Sequence, residues 1–297
     1  ISFVVGMVVM WISRVVFTFN YKKHSRYTIA IFGGLSFTVL AYFIFMKGIG
    51  SSPYVPESVR DYINNNTNLL LVITFVASSV VMEFLHLLKV DIFKFVVLMG
   101  TFGLAMSFAG NDLVNFIGVP LAGLASWQDF TANAHGLSAD AFLMKSLVSS
   151  AKTPPFYLMA AGIIMIIAMA TSKKAQNVIK TSVDLARQDE GDEMFGSSKA
   201  ARAIVRWCQW AVEALSQYIP VGLRKWVNSR FNTNDVELVD DKAAFDVVRA
   251  AVNLVIASML ITFGTNHKLP LSTTYVTFMV AMGSSLADRA WSRESAV

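Results

Sequence analysis

Two short stretches of this sequence carry residue types suited to ion chemistry. The first is Gly110-Asn111-Asp112-Leu113-Val114-Asn115, set between apolar segments. Asn111 and Asn115 are four apart and Asp112 and Asn115 three apart, so in a helix their side chains can share one face. Carboxylate and amide oxygens suit a hard cation such as sodium, as they do calcium and magnesium. An ionised Asp at the bilayer centre costs about 3 kcal/mol on insertion scales, so Asp112 needs a partner or a water-lined cavity, and sodium would be such a partner. Gly110 permits close backbone approach, which would let carbonyl groups join the coordination. The plainer alternative makes Asn111-Asp112 a cap between two helices, facing water.

The second stretch is Leu269-Pro270-Leu271-Ser272-Thr273-Thr274. Proline suits the first turn of a helix, and the hydroxyls that follow sit among amides with no partner inside the helix. Such an end offers an anion a positive dipole, free N–H groups and hydroxyl donors without a full charge in the membrane. The alternative is ordinary Ser/Thr capping at the membrane surface. The remaining candidates read more blandly. His24 and His135 fall in connectors, His86 lies three residues from Glu83 near a helix end, and His267 precedes the second stretch. Lys89, Lys94 and Lys145 reach an interface along their apolar stems. Asp189-Glu190-Gly191-Asp192-Glu193 reads as a solvated charge run, and Asn65-Asn66-Thr67, a sequon by pattern, carries no weight.

The elements that must position these residues follow from composition. The 297 residues are 55% hydrophobic, with mean hydropathy +0.52, more than a soluble domain of this size needs for its core. A hydrocarbon layer of roughly 30 Å takes about 20 apolar helical residues to cross. Helices satisfy their own backbone groups in lipid, and no stretch alternates as barrel strands do. The formal charge of +5 is spread thinly and concentrated between apolar runs, which fits lipid headgroups and not nucleic acid. With Cys208 the one cysteine, no intrachain disulfide or cysteine-based metal site can form.

Along the chain, residues 1–19 form an apolar helix interrupted by Arg14, and Tyr21 to Arg26 make a basic connector that points to a cytoplasmic face. The run begins without an initiator methionine and reads as a cut. Residues 28–46 form a second span and Lys47 to Asn68 a loop. Together, 1–68 make a first region of helices and connector. Region 69–171 holds spans at 69–88 and 92–108, the first motif, short Gly- and Pro-punctuated pieces at 117–123, an amphiphilic piece at 139–151 and an apolar helix at 156–171. Short interrupted pieces point to re-entrant or discontinuous helices around a substrate site. Region 172–247 is a hydrophilic insert, with an amphipathic helix expected at 201–219. Region 248–297 carries helices at 248–264 and 271–287 and the second motif.

The two motifs together resemble the inorganic phosphate transporter family, PiT, whose members carry a Gly-Ala-Asn-Asp type motif and a Pro-x-Ser-Thr-Thr motif in each of two repeats. Here they read Ala109-Gly110-Asn111-Asp112-Leu113-Val114-Asn115 and Pro270-Leu271-Ser272-Thr273-Thr274. Ala109-Gly110 inverts the usual small-residue order, and Tyr275 stands where many members have His. The resemblance covers roughly residues 92–287 and implies an all-α polytopic transmembrane bundle with broken or re-entrant helices, part of an inverted-repeat transporter whose motif sets converge near the midplane. It implies that phosphate is bound by Ser272, Thr273, Thr274, Asn111 and Asn115. The coupling cation, sodium or a proton, would be held by Asp112, Asn111 and Asn115. The chain then resembles a C-terminal portion whose first repeat precedes Ile1.

The expected function is secondary transport of inorganic phosphate across a plasma or inner membrane by alternating access, without catalysis. Its partners are phosphate, sodium or protons, membrane lipid and the missing N-terminal repeat, with homo-oligomerisation left open and nucleic acid excluded. The alternatives are sulfate transport on the same fold, a non-transporting sensor or scaffold built on 172–247, and a hydrolase using Ser272. The last lacks a Gly-x-Ser-x-Gly elbow.

Overall fold

The computed structural model describes residues 1–18, 26–51, 55–143, 154–174, 206, 210, 220–231 and 246–288. Every regular element among them is a helix. In chain order these are α1 (Ser2–Phe17) and α2 (Arg26–Ala41), which passes through a π turn at Tyr42–Met46 into α3 (Lys47–Ser51). Next come α4 (Glu57–Asn65), α5 (Thr67–Leu87), α6 (Ile92–Asn133), α7 (Pro155–Thr171), α8 (Val221–Arg230), α9 (Val247–Asn266) and α10 (Thr273–Ala287). Four stretches are long and apolar enough to cross a membrane: Tyr27–Met46, Thr67–Leu87, Ile92–Asn133 and Val247–Asn266. The chain is a membrane protein built as a helical bundle.

Two expectations are corrected. Residues 109–123 do not break. They lie inside α6, whose 42 residues extend about 63 Å at about 1.5 Å per residue. Pro120 lies inside that helix; it removes one backbone bond without ending the helix. Asn111 and Asp112 find partners on neighbouring helices and therefore do not cap. The loop expected over Lys47 to Asn68 likewise contains α3 and α4. Pro56 leads into α4, Glu57 lies in its first turn, and Arg60 reaches Glu57 at 3.5 Å. The expected spans near α1, α2, α5, α7, α9 and α10 are present to within a few residues. Most of the 201–219 helix, the acidic run at 189–193, the connector with His24, and Lys145 fall outside the described residues.

Small residues set the packing. A Cβ on Gly283 of α10 would stand 2.1 Å from the Phe3 carbonyl oxygen of α1, and one on Gly6 would stand 2.6 Å from that of Val280. The backbones of α1 and α10 therefore touch, running in the same direction. Helices α2 and α5 run antiparallel, with Gly34 against Ser79 and Thr38 Oγ1 3.4 Å from Ser78 Oγ. Helix α6 runs parallel to α9, with Gly100 against Leu254. Phe17, Phe32 and Phe93 gather where α1 ends and α6 begins, their ring centroids 5.0–5.2 Å apart. That end of the bundle thus collects the C-terminus of α1 and the N-terminal turns of α2 and α6. Beyond Asp112 the outer part of α6 and all of α7 are sparsely covered, with Phe116 80% and Val119 78% exposed.

Gly283→Ala is expected to lower the melting temperature of the detergent-solubilised protein, at a cost of about 1–3 kcal/mol, because the methyl meets backbone that cannot move aside. Gly162→Ala on α7, where nothing lies within 4 Å, should leave it unchanged or raise it. Equal effects at the two positions would contradict the packing described.

Candidate functional site

The seam between α6 and α9 begins apolar and becomes polar. Ser258 Oγ donates to the Leu254 carbonyl at 2.7 Å and lies 3.4 Å from that of Gly100. One turn on, Ser107 Oγ sits 2.8 Å from Thr262 Oγ1 and 3.2 Å from the Ser258 carbonyl oxygen. A further turn brings Asn111, which is buried and whose Nδ2 donates to Thr265 Oγ1 at 3.1 Å. Asn115 Nδ2 donates to Asn111 Oδ1 at 3.3 Å. Gly100, Gly103, Ser107 and Asn111 follow helical spacing along one face of α6, and their small or bonded side chains let α9 approach.

Next to Asn111, Asp112 points toward α10. Thr273 Oγ1 donates to its carboxylate at 3.2 and 3.1 Å from the two oxygens. Thr273 is the first residue of α10 and 4% exposed, so the carboxylate stands at the N-terminal end of that helix, where the dipole favours negative charge. Gly264 makes room for the Leu271 side chain at the turn that delivers Thr273, because a Cβ there would fall 2.0 Å from Leu271 Cδ2. Ser272 caps the helix, accepting from the Tyr275 N–H at 3.4 Å. A carboxylate has about four lone-pair positions and one hydroxyl fills one of them. No cation among the described residues pairs with Asp112.

The sequence-predicted residues thus divide. Asp112 and Thr273 meet, although 161 residues apart. Asn111 and Asn115 join each other on the adjoining face and turn to Thr265. Ser272, Thr274 and Asn115 are exposed at the rim. Tyr275 is 68% exposed, and His267 is exposed with its ring 4.4 Å from Phe263. Among the described residues no group of three His, Cys, Asp or Glu could hold a metal ion, so a cation here would rest on Asp112 with amide and hydroxyl oxygens.

No protein-family model matches this chain, and no curated protein or solved structure matches it. The site's own geometry therefore carries the functional argument.

A second polar group lies at the other end of α9. Arg14, completely buried in α1, donates from Nε and Nη2 to Asp288, the C-cap of α10, and from Nη2 to Asp246, the N-cap of α9. Its Nη1 reaches the Thr18 carbonyl oxygen at 2.8 Å. Arg249, also completely buried, stands 3.8 Å from Asp288. Two cations and two carboxylates neutralise one another and clasp the ends of three helices. The sequence signals Arg14 as a charge in an apolar run, but its partners lie 232 and 274 residues away.

Arg14→Met leaves two buried carboxylates with Arg249 alone and should destabilise the protein by about 3–5 kcal/mol, read as a large fall in thermal stability in detergent. Arg14→Lys, which keeps the charge and loses the fork, should fall between. Wild-type stability for Arg14→Met would contradict the clasp.

Proposed function

We propose that the chain forms part of a secondary transporter for an inorganic oxyanion, phosphate in the first place, with a cation bound at Asp112 as the coupling ion. The observation that carries this reading is the carboxylate of Asp112 held by Thr273 at the N-terminal tip of α10. That tip is where an anion would otherwise bind, through N–H groups and the hydroxyls of Ser272, Thr273 and Thr274. A carboxylate and an arriving oxyanion about 4 Å apart repel by about 4 kcal/mol at an effective dielectric of about 20. That is about a thousandfold in affinity. Sodium or a proton on Asp112 removes the penalty, so cation and anion bind together and neither binds well alone. Coupling follows from charge balance, without covalent chemistry.

The contrast with the clasp supports this assignment. There, every charge has its opposite and every side chain is closed in, as a structural device requires. Asp112 is half-buried and lacks a described counter-charge, as a site for a mobile ion requires. The first motif's amides, Asn111 and Asn115, stand beside Asp112 on the adjoining face, bonded to Thr265 and to each other. From Val247 to Thr265 is eighteen residues, about 27 Å at about 1.5 Å per residue. With the clasp at one boundary of a hydrocarbon layer of about 30 Å, the site lies nearer the opposite boundary than the midplane. Lys89 and Lys94 near the clasp end favour a cytoplasmic face for that end. Amide and hydroxyl donors accept sulfate as readily, and protonation distinguishes the two anions.

In proteoliposomes of the full-length protein, Asp112→Asn and Thr273→Val should each abolish cation-dependent uptake of labelled phosphate while leaving membrane insertion intact. Unchanged uptake rejects the assignment. Competition by sulfate that stays constant across pH, while phosphate uptake varies, identifies phosphate as the substrate; the reverse ranking identifies sulfate.

A further inference from the structure

Helix α8 lies in the otherwise hydrophilic stretch before α9 and is tied to the membrane bundle through Arg230. Arg230, in its last turn, donates from Nε to the Val15 carbonyl and from Nη2 to that of Val16, both at 2.7 Å. These are carbonyls of the final turn of α1, which have no partner within the helix. The same turn carries Arg14 and the clasp, so α8 is fastened at the level where α1, α9 and α10 all end.

Its ten residues are two-sided. At 3.6 residues per turn, Leu223, Trp226 and Val227 fall within about 100° of one another, with Arg230 among them, and Arg224, Lys225, Asn228 and Ser229 occupy the opposite side. The bundle covers the apolar side incompletely, for Leu223 is 50% and Trp226 52% exposed. The guanidinium of Arg230 lies 5.8 Å from the centre of the Trp226 ring. The helix has no acidic residue, and Arg224 and Lys225 pair with no described residue.

Charge at this end of the bundle is unequally satisfied. The carboxylates at the helix termini are engaged: Asp91 caps α6 through the N–H groups of Phe93 and Lys94, and Asp246 and Asp288 are held in the clasp. The exposed cations Lys89, Lys94, Arg224 and Lys225 have no such partners among the described residues. Among the described residues this end turns its acids inward and its bases outward, a pattern complementary to an anionic surface. A helix lying at the end of a membrane span, with a half-covered Leu-Trp-Val side flanked by cations, meets such a surface in the interface.

We propose that α8 is an interfacial helix that docks onto anionic phospholipid, its apolar side entering the headgroup boundary beside α1 and Arg224 and Lys225 contacting lipid phosphates. Tryptophan prefers this depth, with its ring in the acyl boundary and its N–H in the polar layer. The docking presses the end of the insert against the clasp, so that lipid composition bears on the helix ends that the clasp joins. This inference rests on the membrane-spanning character of the bundle and is independent of the oxyanion reading.

The test uses the full-length protein with Cys208→Ser and Leu223→Cys, labelled at the new cysteine with an environment-sensitive nitrobenzoxadiazole dye. It is placed in nanodiscs of phosphatidylcholine alone or mixed with phosphatidylglycerol. Phosphatidylglycerol should shift the emission to the blue and make it quenchable by nitroxide-labelled lipid. Added salt should reverse the effect by screening. Replacing both cations (Arg224→Gln and Lys225→Gln) should lower the lipid-inserted to water-exposed ratio roughly thirtyfold. Equal insertion in phosphatidylcholine alone overturns headgroup recognition. So does the same shift when inorganic phosphate is added to neutral discs. A label shielded from both lipid and water in every disc overturns the proposal in favour of coverage by protein. Should the labelled chain fold poorly, Ser229→Cys on the opposite side serves as a second reporter; it should stay in water throughout, and quenching there by nitroxide-labelled lipid also overturns the proposed orientation.

Discussion

The closeness of α6 to α9 is the constraint on which the arrangement of this molecule depends. Two parallel helices in a membrane have no hydrophobic drive to meet, because lipid tails are as apolar as their side chains, so packing and interhelical hydrogen bonds must hold them. Gly100, Gly103, Ser107 and Asn111 present to α9 a face with little bulk that gains donors and acceptors as it rises. Ser258, Thr262 and Thr265 answer it turn by turn. Each such bond contributes about 0.6 kcal/mol, and their larger effect is register. With Asn111 fixed on Thr265, the neighbouring Asp112 points toward the space where α9 turns into α10, where Thr273 meets it.

The two polar constellations at the ends of α9 illustrate how burial and charge balance separate structure from function. The clasp of Arg14, Asp246, Asp288 and Arg249 is neutral and buried, and it ties three helix ends together. A carboxylate with one hydroxyl donor and an open flank is a different object. It has no counter-charge among the described residues, and it stands at a helix N-terminus, a position that suits negative charge. On the proposed reading, a negative group at a helix tip suited to anions makes sense where occupancy by cation and anion must be simultaneous.

Much of this was readable from the chain itself. Apolar runs of the right length marked six of the helices, and an Asn-Asp pair and a Pro-led Ser-Thr-Thr stretch marked the two groups that come together. What was not readable depended on distant partners. Glycines and Pro120 within 109–123 suggested a break, yet a helix continues through polar residues when those residues are bonded across an interface, and Thr265 and Thr273 cannot be paired with Asn111 and Asp112 by periodicity. Arg14 was visible as a charge interrupting an apolar run, but nothing local indicated that it is buried or that its carboxylates cap α9 and α10. Helix α4 was concealed by the polar, asparagine-rich composition of its segment, and α8 by a Gly and two Asn or Ser residues within ten positions.

The account makes Asp112 the place where cation and anion binding are joined, and equilibrium binding of labelled phosphate to the purified full-length protein, titrated against sodium and against pH, measures that junction without transport. Phosphate affinity should rise as sodium is added or pH is lowered, and Asp112→Asn should make it indifferent to whichever cation raised it. Affinity that ignores both cations in the wild-type protein, or the same cation dependence in Asp112→Asn, would contradict the account.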